Sequence, residues 1–285
     1  MPFLEIRGAS KSFTVRGKSK AAVALPVLRD IHLGIEEREF VCIVGRSGGG
    51  KTTLISLIAG LIEPDQGEIL LEGKAIQGPG PERGIVFQNY SLLPWMTAYE
   101  NIHLAVDAVA PDLSAKARRE RAEYYIELVN LGNAAGKRPR ELSGGMRQRV
   151  AVARGLAMDP KVLLMDEPFS ALDALTRGTL QEELAGIWME TQKTVVMITN
   201  DIDEAILLAD SIYTLTSTPG ATLGPPLRLT APRPRSRADI GRGADYQKAR
   251  RETVGLLVAG QNNRRAKTSS PVDAPLDLTA QRCSG

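Results

Sequence analysis

Residues 45–52, GRSGGGKT, lie between the apolar run FVCIV and a stretch that reads as helix from residue 51 to about 61. They satisfy the pattern G-x-x-x-x-G-K-[ST] in the setting it requires, with a strand before and a helix after. Little else in a chain narrows the choice of fold so much. The glycines let backbone N–H groups close on an anion, and a helix beginning there aims its dipole and its unpaired donors at the same point. The run 40–44 is continuously apolar rather than alternating, which predicts a strand buried on both faces. Candidate nucleotide contacts are Gly45, Arg46, Ser47, Gly48, Gly49, Gly50, Lys51, Thr52 and Thr53. Lys51 would reach the β- and γ-phosphates, and the Thr52 hydroxyl would bind Mg²⁺. The competing reading is a flexible glycine turn, against which the flanking strand and helix weigh.

A second apolar run, VLLMDE at 162–167, ends in two adjacent carboxylates. Asp166 is placed to hold Mg²⁺ through water, and Glu167 to orient or deprotonate an attacking water. Alone, such a pair reads as a solvated turn; together with the phosphate loop it reads as the other half of one site. Strands are also predicted at 4–6, 67–72, 84–87 and 195–199, and helices at 143–158, 175–191 and 201–209. The stretch 97–140 turns helical, with Tyr124, Ile126, Leu128, Val129 and Leu131 on one stripe, and reads as a helical insertion. Alternating strands and helices imply an α/β fold with a parallel sheet.

The chain has 285 residues, 43% hydrophobic and 24% charged, an ordinary globular balance. Its net charge of +3 is too small to argue for nucleic acid, but 228–267 carries eleven basic residues against three acidic. That basic run reads as a solvated, flexible end, with anionic headgroups as the alternative partner. Cys42 and Cys283 stand in unlike contexts and make no disulfide framework, so a reducing, intracellular setting is expected. No apolar stretch is long enough to cross a bilayer, and the start lacks the pattern of a signal peptide. The expected organisation is a folded domain over 1–215, with its helical part near 97–158. A basic, proline-rich extension over 216–260 includes a short helix at 246–258, and 261–285 reads as a disordered tail.

Residues 140–149, RELSGGMRQR, resemble the signature that separates ATP-binding cassette (ABC) ATPases from other phosphate-loop NTPases. Ser143, Gly144 and Gly145 open a helix and present a hydroxyl and free N–H groups, a second anion site. The resemblance implies that two chains, two copies of this one or this one with a different cassette, sandwich two ATP molecules, each signature addressing the γ-phosphate held by the opposite subunit. It also implies an N-terminal antiparallel β region beside the mainly parallel sheet, and a helical subdomain. Over residues 1–215 further positions match. Gln88, after GIVFQ, resembles the glutamine that senses Mg²⁺ and the transmembrane partner. Phe13 resembles the aromatic that stacks on adenine. Asp173, in SALD at 170–173, resembles the loop that crosses the dimer interface. Each has a plainer reading: Phe13 as core, Gln88 as a solvated turn, Ser170 as a helix cap.

Two positions depart from that family. Met146 stands where glutamine usually closes the signature, and Asn200, in ITNDIDEA, where histidine usually reaches the γ-phosphate. Asparagine donates a hydrogen bond but carries no charge and shuttles no proton at neutral pH. His32 and His103 do not match that position. With one cassette and no membrane span, the chain implies separate permease subunits, a solute-binding protein acting through them, and a place on the cytoplasmic face of the membrane. Leu93, Pro94 and Trp95 are the candidate permease contact. The phrases FQNYSLLPWMTAYENI, ITNDIDEAILLADSI and PGATLGPP followed by PRPRSR are similar to cassettes of oxyanion importers, the nitrate/nitrite, cyanate and bicarbonate branch. The alternatives are a sulfonate or taurine importer, a degenerate nucleotide-binding subunit paired with a hydrolytic homologue, and a soluble cassette of DNA repair or the ribosome. The last normally has tandem cassettes or long coiled coils, which this chain lacks.

Overall fold

The computed structural model describes residues 1–16, 22–237 and 243–268. The chain opens with β1 (Leu4–Arg16) and β2 (Ala22–Ile35), followed by β3 (Phe40–Gly45), α1 (Lys51–Ile58), β4 (Gln66–Leu71), β5 (Lys74–Ala75) and β6 (Arg83–Val86). Three helices follow, α2 (Ala98–Val109), α3 (Ala115–Leu128) and α4 (Gly144–Ala157). Then come β7 (Val162–Asp166), α5 (Ala174–Thr191), β8 (Thr194–Thr199), α6 (Ile202–Leu208), β9 (Ser211–Leu215), β10 (Leu227–Arg228) and α7 (Ala244–Thr268).

Six strands form one sheet in the order β10-β9-β3-β8-β7-β6, with β3 parallel to both β8 and β9. Only the short β10 runs antiparallel within it. The other sheet, β2-β1-β4-β5, is antiparallel. Side chains of a strand alternate between faces, which explains the unbroken apolar run at 40–44. Phe40, Cys42 and Val44 enter the core beneath α2 to α6, while Val41 and Ile43 enter the core shared with α1, β1 and β2. Burial pushes the Cys42 thiol well above its usual range, so it behaves as a small core residue.

The first strand is far longer than the predicted 4–6, and β2 has no predicted range, although the antiparallel N-terminal region that the resemblance implies is present. The pairing of β1 with β2 slips at several points between Ile6 and Ser12, so no clean two-residue period runs along either strand. The predicted helical stretch 97–140 divides in two, because Pro111 cannot continue α2 and Ser114 caps α3 by accepting from the Ala117 N–H. Helix α2 begins at a capping box: the Glu100 N–H donates to Thr97 Oγ1 at 3.2 Å, and the Thr97 N–H to Glu100 Oε2 at 2.7 Å.

The extension corrects the sequence reading most. Residues 216–228 fold back along β2 and β9, with Ala221 bridged to Leu28 and Leu223 to Leu215. The basic run is not simply a solvated end, because Arg233, Arg235 and Arg250 bond the body of the domain. Helix α7 begins before and extends beyond the predicted 246–258, taking in the start of the predicted tail. Residues 269–285, including Cys283, lie outside the described residues. Among the described residues no helix is long and apolar enough to cross a membrane.

Candidate nucleotide site

The phosphate loop leaves β3 at Gly45 and enters α1 at Lys51. Gly48 and Gly50 have φ of 73° and 89°, a region that favours glycine. A side chain at Gly50 would also meet Val27 and Leu28 of β2. The loop is closed by the Gly49 N–H donating to the Arg46 carbonyl at 3.0 Å. Thr218, from the extension, donates to the Gly48 carbonyl at 3.0 Å. The sequence reading missed that contact, which has no spacing signal to reveal it.

Lys51 is 3% exposed, and its ammonium is held by three oxygens. It donates to the carbonyls of Gly45 at 2.8 Å and Arg46 at 2.9 Å, and pairs with Glu167 Oε1 at 3.0 Å. The predicted juxtaposition of phosphate loop and strand end is therefore present. Thr52 Oγ1 donates to Asp166 Oδ1 at 3.3 Å. Burial raises the Asp166 carboxyl above its usual range, partly offset by the Thr52 hydrogen bond. Two hard oxygen donors thus face each other beside the loop, and a desolvated carboxylate gains most from a nearby cation.

Glu167 has φ of 42°, a strained value for a residue with a side chain, and its N–H is anchored on the Ile198 carbonyl at 3.0 Å. Ser170 Oγ donates to the Glu167 carbonyl at 2.9 Å and accepts from Gln88 Nε2 at 3.2 Å. Gln88 is thereby tied to the carboxylate turn through one hydroxyl. Asn200 is exposed, between β8 and Asp201, and a small cleft brings it together with Glu167, Ser170 and Thr199. Phe13 is 41% exposed and pairs with Leu25, two residues from the Val27 that touches Gly50. Arg46, Ser47 and Thr52 are exposed at the loop, while Thr53 is half-buried in α1.

Ser143, Gly144, Gly145 and Asp173 form a separate group. Ser143 caps α4 by accepting from the Met146 N–H, and Asp173 caps α5 by accepting from the Thr176 N–H. The signature glycines abut Leu172 and Thr176 rather than the phosphate loop. Both caps are exposed, so this face presents a helix N-terminus outward. Trp95 is 65% exposed beside exposed Pro94 and half-buried Leu93.

A phosphate loop with a buried lysine, a hydroxyl–carboxylate pair and a strained glutamate at a neighbouring strand end have the geometry of a phosphate-loop NTPase site. Residues 28–170 match the ABC transporter family, and the chain belongs to it. The bicarbonate transport ATP-binding protein CmpC of Synechococcus elongatus is 50% identical over 90% of this chain, which spans 38% of CmpC's length. The nitrate import ATP-binding protein NrtD of the same organism is 47% identical over 90% of this chain and 91% of its own. Among solved structures, the dimeric post-hydrolysis state of the ATP-binding cassette MJ0796, bound to ADP and Pi, superposes with a TM-score of 0.68. It is 30% identical, covering 80% of this chain and 99% of that one.

Proposed function

We propose that this chain is the ATP-binding and ATP-hydrolysing subunit of an importer of small oxyanions of the nitrate, nitrite, cyanate or bicarbonate type. It acts as one of a pair of cassettes on the cytoplasmic face of the membrane, beneath permease subunits that receive the anion from a solute-binding protein. The observation that carries this reading is the closure of Lys51 onto Glu167 beside the Thr52–Asp166 pair. The names of CmpC and NrtD support the substrate class, and the dimeric state of MJ0796 supports the pairing.

In this mechanism the N–H groups of 46–52 cradle the phosphates while Phe13 stacks on the base. Phosphate oxygens compete with Gly45, Arg46 and Glu167 for the Lys51 ammonium, so binding frees the Glu167 carboxylate. Glu167 then takes a proton from the attacking water, and Gln88 and Asn200 donate hydrogen bonds around the γ-phosphate. Thr52, Asp166 and Gln88 would hold Mg²⁺, which when bound neutralises charge developing on the phosphate. Ser143, Gly144 and Gly145 of one subunit complete the site of the other, with Asp173 crossing the interface nearby. Such closure transmits force through the Leu93–Trp95 surface to the permease.

Equilibrium titration with ATP tests the site. Lys51→Ala removes a charged donor, so affinity is expected to fall by about 10- to 100-fold. An unchanged affinity would remove Lys51 from the site.

A further inference from the structure

Helix α6 is only seven residues long, and the residue two before it is Asn200. So short a helix does not hold its shape alone. Its N-terminus is fixed by Asp201, whose Oδ1 accepts from the N–H groups of Asp203 at 2.9 Å and Glu204 at 3.2 Å. Its C-terminus is closed from outside the cassette by the extension. Arg235 donates to the Ile206 carbonyl at 3.0 Å and to that of Ala209, and Arg233 donates to the Leu208 carbonyl. These are the carbonyls that a helix end leaves unsatisfied, and the guanidinium charges complement the helix dipole.

The same arginines reach past α6. Arg233 pairs with Asp210 at 2.9 Å and lies 4.1 Å from the ring centre of Trp188, on α5. Arg237 abuts α5 at Gly178, where a Cβ would stand 1.7 Å from its Nη1. From α7, Arg250 Nε bonds Asp203 Oδ1 at 3.0 Å. Burial pulls the Arg235 pKa down to about 10, so it remains charged at neutral pH while losing much of its water. Between strap, α6 and α7 remains a cavity of about 370 Å³ lined by Leu207, Leu229, Pro232, Arg235 and Ala249. The extension thus holds α6 through discrete polar contacts beside this gap as well as through Leu229 and Ala249, which join the apolar cluster of Ile206 and Leu207.

We propose that the extension is a positioning clamp: Arg235 and Arg250, seconded by Arg233 and Arg237, fix α6 and so set where Asn200 stands relative to Glu167. The effect on turnover rests on the hydrolytic reading above, whereas the clamping of α6 does not. Loss of these arginines lowers kcat while leaving the KM for ATP nearly unchanged, because their contacts are with α5, α6 and Asp210 rather than the phosphate loop.

Three variants of the full chain test this. Arg250→Met removes an exposed ion pair, Arg235→Met removes the carbonyl donors, and Gly178→Ala displaces the Arg237 side chain without substituting any residue of the extension. Gly178→Ala also raises helix propensity, so it folds if the parent does. Amide exchange across 202–208 in nucleotide-free protein is expected to quicken about tenfold in Arg250→Met and in Arg235→Met. The kcat is expected to fall about fivefold in each, with KM within about twofold. Gly178→Ala is expected to produce a smaller change in the same direction. Faster exchange with unchanged kcat would make the contacts merely structural and overturn the positioning role. Unchanged exchange would overturn the clamp itself. A parent that binds ATP without turning it over, while the variants still loosen α6, would fault the hydrolytic reading and leave the clamp standing.

Discussion

Glu204 gives the chain a titration that can be predicted in sign and size. Its side chain leaves α6 and is buried, 4% exposed, where it accepts from Gln181 Nε2 at 2.9 Å and bonds the Thr199 hydroxyl. Burial outweighs those bonds and pushes its pKa from 4.5 up to about 7, with the Asp201 charge adding to the rise and Arg177 opposing it. A carboxyl that binds its proton more tightly when folded contributes stability that is fully present below pH 4.5 and is lost as pH rises through about 7. The rise corresponds to about 3 kcal/mol in all, most of which disappears between about pH 5 and 8. For a domain of this size that is a fall in Tm of roughly 5–10 °C. Glu204→Gln keeps an oxygen for Gln181 and cannot ionise, so its Tm should change less than the parent's over that range by this amount. Scanning calorimetry of both proteins across the pH series reads the difference directly, since every other titrating group is shared. Parallel curves for parent and variant would refute the reasoning and imply that Glu204 is ionised and compensated in the folded state.

Asn200→His should raise kcat by about fivefold below pH 6.5, where a charged donor replaces a neutral one for roughly 1 kcal/mol. A rate that does not change with pH or substitution would detach Asn200 from the γ-phosphate. Thr97→Ala, breaking the capping box of α2, should cost about 1 kcal/mol in urea unfolding with an unchanged m-value. An unaltered midpoint would show that the box adds nothing beyond the packing of α2.

What the sequence disclosed and what it hid differ in range. The phosphate loop, Lys51, Asp166 and Glu167 were legible because each follows an apolar strand and sits at a local strand-to-helix or strand-to-turn change. That β3, β7 and β8 run parallel followed from the alternation of elements, whereas their order in the sheet did not. The β1–β2 pairing was not legible, since its irregular register erases the period along both strands. Strand β9 escaped notice because its five residues continue directly from the buried end of α6. The docking of the extension was hidden for a different reason. Arg233 and Arg235 bond backbone carbonyls of residues 206–209, and a carbonyl has no residue type to read. A basic, proline-rich run with such partners has the composition of a solvated one. Ser170, which joins Gln88 to Glu167, read equally well as a simple cap.

The proposed hydrolysis of ATP by paired cassettes, with Glu167 as the base, comes down to one measurement. It is Mg²⁺-dependent phosphate release by the purified chain over a range of protein concentrations, with Glu167→Gln measured alongside. The rate is expected to rise more steeply than linearly with concentration, and the variant to bind ATP but turn it over at least about 100-fold more slowly. Hydrolysis at the parental rate by Glu167→Gln would contradict that role of Glu167.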